Sequence, residues 1–170
     1  MSIHKSKGLE FPVVFLCGLG REFNRDSLRA QVLCDQKLGL GLSVADTKNR
    51  VRYPAISKRA IAAKTVTQSL SEEMRVLYVA LTRAKDALLL FVPYKEMEKA
   101  GLQEFLERQG RAIQCGAGRV QAAYAQNTAA WLLLAALQNK NGALLWEQTA
   151  FEAPPAKSEW PLQLFFEDND

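Results

Sequence analysis

Pro12-Val13-Val14-Phe15-Leu16-Cys17 is an unbroken apolar run stopped by Gly18 and Gly20. Strands buried on both faces read this way, and such strands belong to parallel sheets covered on both sides. A second run, Ala87-Leu88-Leu89-Leu90-Phe91-Val92, ends at Pro93, which cannot extend a ladder. Between them, Met74, Leu77, Tyr78 and Leu81 recur at three- and four-residue spacing and predict a helix over Glu72 to Lys85 with one face on the sheet. Strand, helix and strand in this order require a crossover, hence an open α/β sheet with helices on its faces.

Outward from this core the signals change. Ser57 to Gln68 reads as an earlier helix, and Ser69-Leu70-Ser71-Glu72 has the form of a capping box, so the chain is expected to break and restart there. Between Asn24 and Pro54, Gln31 to Cys34 and Val51 to Tyr53 are candidate short strands, separated by turns at Gly39-Leu40-Gly41 and Asp46-Thr47-Lys48-Asn49. Gln103 to Gln109 is predicted helical and Gln114 to Arg119 is a glycine-rich loop. Ala129 to Asn139 reads as an apolar helix carrying Trp131 and capped by Thr128. From Glu152 onward, Pro154, Pro155, Pro161 and a terminal Glu-Asp-Asn-Asp predict an extended or disordered tail. No internal repeat is visible.

A chain of 170 residues, 48% of them hydrophobic, suffices for one proper core. Lys and Arg total 22 against 18 Asp and Glu; the formal charge of +4 suits a phosphate-bearing partner without requiring one. Cys17, Cys34 and Cys115 form no C-x-x-C pair and leave one over after any pairing, which argues against a disulfide framework or zinc site and for reduced thiols in the cytosol. No secretory signal pattern is present, and the longest apolar run, Ala129 to Leu137, is about half a membrane span, so no membrane association is expected. A motif-like segment and a strand follow Met1 at once, with no earlier element to pack beside, and the chain is expected to be a piece of a longer protein.

His4-Lys5-Ser6-Lys7-Gly8 sets an imidazole, two ammonium groups, a hydroxyl and a glycine ahead of the first strand. Glycine admits close backbone approach to a ligand, and Glu10 can accept hydrogen bonds from sugar hydroxyls. A solvated basic terminus ahead of a core strand has the same composition. The ordered string S-I-H-K-S-K-G-L-E-F-P-V-V-F, however, closely resembles motif V of superfamily 1 helicases of the UvrD/Rep type, usually T-x-H-x-x-K-G-L-E-F-x-x-V-F, with Ser2 in place of the commoner threonine. The resemblance implies that His4 and Ser6 touch single-stranded DNA, that Gly8 and Glu10 sit at the nucleotide with Glu10 at the ribose, and that Lys7, grouped here with the DNA-facing residues, faces DNA, phosphate or a structural carboxylate.

Glu72, Glu73, Arg75, Tyr78, Thr82, Arg83 and Lys85 cluster on the helix before the second strand. An arginine at a helix end can offer a fixed fork to phosphate oxygens, although a Glu72–Arg75 surface pair and a core Tyr78 would need no function at all. The phrase E-E-M-R-V-L-Y-V-A-L-T-R-A-K is similar to motif VI of the same helicases, usually E-E-x-R-L-L-Y-V-A-x-T-R-A. That likeness implies that Arg83 reaches the γ-phosphate of ATP bound on another RecA-like domain as the catalytic arginine, while Thr82 and Tyr78 build interface and core.

V-L-C-D-Q-K-L-G-L-G-L, R-V-R-Y-P and A-A-W-L-L-L-A-A-L resemble the AddA (RexA) branch of this family, one half of an ATP-dependent helicase/nuclease for double-strand break repair and recombination. The implied architecture is residues 1–100 as part of the second RecA-like domain, a P-loop NTPase-type open and mostly parallel sheet without its own Walker A loop, then a helical connector over 101–150 and a tail over 151–170. The implied cofactor is ATP with Mg2+, bound mainly outside this chain. The implied partners are single-stranded and duplex-end DNA and an AddB (RexB)-like subunit, in a bacterial cytoplasm. Gly18-Leu19-Gly20, Gly39-Leu40-Gly41 and Gly116-Ala117-Gly118 all lack the lysine and hydroxyl of a phosphate loop, so the chain alone is expected not to hydrolyse ATP, and no metal site is expected. The tail carboxylates lack nuclease spacing. The alternative is a non-catalytic nucleic-acid-binding or regulatory module that keeps these motifs.

Overall fold

The computed structural model describes residues 3–6, 8–92, 99–147, 149 and 151–164. Its strands are β1 (Phe11–Leu16), β2 (Leu33–Asp35), β3 (Gly39–Gly41), β4 (Ser43–Asp46), β5 (Val51–Pro54) and β6 (Ala84–Leu90). Its helices are α1 (Ile56–Leu81), α2 (Lys99–Gln114), α3 (Gly118–Ala123), α4 (Thr128–Leu137) and α5 (Ala143–Glu147). The chain divides into two compact units, residues 1–13 with 23–87 and residues 14–22 with 88–170, and the division falls inside both β1 and β6.

The two apolar runs share a sheet as expected, and within it β1 lies directly beside β6. Phe11 N–H donates to the Arg83 carbonyl at one end and Phe91 N–H to the Leu16 carbonyl at the other, so the strands run parallel. The α/β class holds, but the other strands form two antiparallel hairpins, β2–β3 and β4–β5, rather than joining one mostly parallel sheet. Nor is β1 buried on both faces. Phe15 is 61% exposed and stacks on the exposed Phe91 ring at 6.0 Å, because a single pair of strands gives less cover than the full sheet the apolar run implies.

The capping box at Ser69–Glu72 does not form; α1 runs through it without a break for 26 residues. Thr65, Thr67 and Ser71 each donate their hydroxyl to the carbonyl four residues earlier, on Ile61, Ala63 and Thr67. Hydroxyls on both sides of the expected break are thereby bonded back into one continuous helix. Glu72 turns to Arg75 instead. The buried positions near the end of α1 are Leu77 and Ala80, while Met74 and Tyr78 are exposed. The inward stripe is thus rotated about one residue, roughly 100°, from the expected one, and Tyr78 is a surface residue rather than a core one.

The hairpin β2–β3 packs on α1. Gly39-Leu40-Gly41, expected as a turn, is a strand; the turn lies at residues 36–38, where the Asp35 carboxylate accepts from the Lys37 and Leu38 N–H groups. A Cβ on Gly41 would stand 2.6 Å from Lys58 Cα, so only glycine lets the helix lie this close. Ile61, 2% exposed, fills the contact, worth roughly 1.5–3 kcal/mol for a fully buried aliphatic side chain. In β4–β5 the Asp46 turn forms as read from sequence, and Val44 stands opposite Tyr53.

In the second unit Leu106, Ile113, Leu134, Leu137, Leu145 and Trp146 form the core. Trp146 donates its indole N–H to the Leu137 carbonyl at 2.7 Å, which removes the cost of burying that donor. Asn127, not Thr128, caps α4: its side-chain oxygen accepts from Ala130 N–H. The tail over residues 152–164 has no regular helix or strand, as expected, but it is held in place. Lys157 N–H donates to the Gln138 carbonyl, Asn139 and Asn141 side chains donate to the Trp160 carbonyl, and Leu162 and Leu164 pack on the core. Residues 165–170 lie outside the described residues.

Candidate functional site

Ile3–Ser6 forms one 3-10 turn. The Ser6 hydroxyl donates to the Ile3 carbonyl at 2.7 Å and the side chain is 8% exposed, so it faces inward. Leu9 N–H donates to the Ser6 carbonyl at 3.0 Å. The turn this closes carries Gly8 at φ +84, a conformation that a side chain would strain. It delivers Leu9 and Glu10 to the start of β1.

The other half of the site begins where α1 stops. The Thr82 hydroxyl lies within donating distance of the Tyr78 and Val79 carbonyls, the first of which also accepts the Thr82 N–H. Arg83 follows in the turn into β6, beyond the last helical residue. Its Nε donates to the Val79 carbonyl at 3.0 Å, its Nη1 to the Leu9 carbonyl at 3.1 Å and its Nη2 to the Thr82 hydroxyl at 3.1 Å. All three acceptors are neutral, and among the described residues no carboxylate forms an ion pair with Arg83. A guanidinium carries five N–H donors, so one on each Nη stays available. This is a fixed, uncompensated cation with donors to spare, suited to a phosphate oxygen. Beside it, Glu10 and Lys85 pair at 3.1 Å with both side chains 58% exposed, a contact worth at most about 1 kcal/mol and easily opened by a ligand.

The structure therefore brings Gly8, Glu10 and Arg83 to neighbouring segments and turns Ser6 away from the surface. His4 lies in the 3-10 turn by its backbone, and Lys7 is outside the described residues. Lys85 and the Leu9 carbonyl complete the geometry. Lys85 was within reach of sequence reasoning, since pairing β1 with β6 sets it near Glu10. A backbone carbonyl carries no sequence signal. Among the described residues no group of three or more His, Cys, Asp or Glu stands ready to hold a metal, no helix is long and apolar enough to cross a membrane, and the three cysteines are free.

The family model for the UvrD-like helicase C-terminal domain matches residues 1–95, more than half of the chain. The chain belongs to this family. As a UvrD-like C-terminal domain it resembles proteins named as the A subunits of ATP-dependent helicase/nucleases. The one from Ruminiclostridium cellulolyticum is 52% identical over 103 residues, covering 61% of this chain and 8% of that protein. The one from Heliobacterium modesticaldum is 52% identical over 110 residues, 65% of this chain and 8% of the other. With the Clostridium novyi protein the likeness is 38% over 152 residues, 89% of this chain and 12% of that one. The chain thus spans about a tenth of the length of these relatives. In this UvrD-like domain both helicase motifs read from the sequence fall inside the matched region, and Arg83 joins one to the other.

Proposed function

We propose that this chain is part of the motor of an ATP-dependent DNA helicase/nuclease for double-strand break repair and recombination, and that it supplies one wall of the ATP cleft and a stretch of the single-stranded DNA track. The observation that carries this reading is the Arg83–Leu9 hydrogen bond, which ties the motif facing the nucleotide to the motif facing DNA. Arg83 uses its free N–H donors to stabilise negative charge on a phosphoryl oxygen, Gly8 admits the nucleotide to the backbone, and Glu10 leaves Lys85 to accept from the ribose hydroxyls. His4 and Lys7 meet the single strand, with Ser6 supporting their turn from within. Mg2+ and the remaining phosphate contacts come from the rest of the parent, together with any exonuclease activity. The names of the relatives support a second subunit, which we identify with an AddB (RexB)-like partner, in the cytoplasm. The exposed Phe15 and Phe91 give the remainder of the motor domain an apolar surface to cover.

The full-length parent tests this. Arg83→Ala is expected to lower DNA-stimulated ATP hydrolysis by about 10³-fold, the scale of an arginine acting on a transferring phosphoryl group, while the fold persists. Unchanged turnover would remove Arg83 from the site. His4→Ala is expected to weaken stimulation by single-stranded DNA without lowering basal hydrolysis.

A further inference from the structure

The first unit holds a concentration of positive charge that the motifs do not use. Between Asp35 and Ser71 there are seven Lys and Arg residues and two carboxylates, Asp35 and Asp46; seven less two gives +5, in a chain whose total is +4. The carboxylates that could neutralise this charge are already engaged. Asp46 accepts from the Lys48 and Asn49 N–H groups and from the Asn49 side chain, and Asp35 is paired with Lys64. Arg52 and Arg59 have no ion-pair partner among the described residues, and Lys58 reaches only neutral oxygens, the Ser43 hydroxyl at 2.9 Å and the Gln31 carbonyl at 3.2 Å.

These cations converge. Arg52, Tyr53 and Pro54 at the end of β5 and Lys58 and Arg59 in the first turn of α1, with Ser43 across the hairpin, line an open cleft of about 360 Å3. Tyr53 is half-exposed at its edge. At the tip of the same hairpin, Arg50 is held at φ 54, a left-handed conformation that costs a non-glycine residue roughly 1–2 kcal/mol. Like charges gathered without counter-charges are destabilising on their own, and a polyanion relieves them. Two guanidinium forks and an ammonium together match the phosphates of a nucleic-acid strand.

We infer that the cleft between β5 and the start of α1 is a second nucleic-acid contact, gripping backbone phosphates through Arg52, Lys58 and Arg59. It is separate from the turn carrying His4 and Gly8 and does not depend on Arg83 facing a nucleotide; only the choice of nucleic acid among polyanions rests on the helicase reading.

The test is fluorescence anisotropy of the 170-residue chain with labelled oligothymidylate over a salt series, alongside co-sedimentation with anionic phosphatidylserine vesicles. Arg52→Glu/Arg59→Glu is expected to weaken DNA binding by at least about tenfold and to make the salt dependence shallower by roughly 1.4 in log–log slope, about 0.7 for each lost phosphate contact to a single strand. Arg52→Lys/Arg59→Lys should retain the slope. Thermal melts of all variants show whether each remains folded. Binding by the Glu variant equal to the parent's, no binding by the parent chain at low salt, or vesicle binding that DNA does not displace would each overturn the inference. The readouts keep the two assignments apart: ATP turnover of the full-length parent tests Arg83, and the salt dependence of oligothymidylate binding, with and without Arg52→Glu/Arg59→Glu, tests the cleft.

Discussion

Arg83 and Leu9, 74 positions apart in the chain, are joined by one hydrogen bond of 3.1 Å from guanidinium Nη1 to a backbone carbonyl. The same guanidinium holds Val79 and Thr82, so its orientation is fixed by three acceptors in three directions. A lysine here keeps the charge and loses the fork. Arg83→Lys in the full-length parent is therefore expected to depress ATP turnover nearly as far as Arg83→Ala, with steady-state hydrolysis as the readout; turnover close to that of the unaltered parent would mean that charge alone suffices.

Gly41 lies under α1 with no room for a methyl group. Gly41→Ala is expected to destabilise the first unit by about 1–3 kcal/mol, the usual cost of forcing an extra carbon into a packed contact, measured as a lower urea midpoint at an unchanged slope. Any repacking must move the α1 backbone, because the nearest atom is Lys58 Cα rather than a flexible side-chain end.

The Lys64 ammonium, followed by the Leu38 and Lys37 N–H groups, holds the Asp35 carboxyl down at about 2. A carboxylate with a depressed folded-state pKa favours folding fully above its unfolded value, near 3.9, and loses that contribution as pH falls through the folded one. Thermal midpoints should thus fall between about pH 4 and pH 2, and Asp35→Asn should flatten that part of the profile. Asp46, held low by the Asn49 side chain and N–H, contributes in the same direction.

The α4 cap separates two neighbouring residues. Asn127→Ala is expected to cost about 1 kcal/mol by leaving the Ala130 N–H unmet, and Thr128→Ala far less, as read from chemical denaturation. Equal losses would return the cap to Thr128.

The parts legible in the sequence were those with a strong apolar or motif signal. Both strands of the parallel pair appeared as apolar runs, and the two motifs that Arg83 joins are specific strings. The break expected at Ser69–Glu72 failed because a hydroxyl can bond back within a helix as readily as it can cap one, and local sequence does not distinguish the two. Tyr78 was misplaced because Met74, Leu77 and Tyr78 span enough of the helix surface to define two apolar stripes, and packing chose the one through Leu77 and Ala80. The Asp46 turn between β4 and β5 could be read, but the pairing of β2 with β3 was hidden, because Gly39-Leu40-Gly41 looks like a turn while the real one hangs on the Asp35 carboxylate. The inward turn of Ser6 was likewise invisible, since a serine before glycine reads as a surface residue whatever its hydroxyl does.

The unbroken course of α1 has a mechanical meaning. A helix of 26 residues is a rod about 39 Å long at roughly 1.5 Å per residue, with Lys58 and Arg59 near one tip and Arg83 just past the other. The hydroxyls of Thr65, Thr67 and Ser71 bond back within its middle, where a break would have made a joint. A lever without a joint cannot absorb a displacement, so a tilt imposed at the Arg83 end arrives at the Arg59 end as travel of the basic cleft.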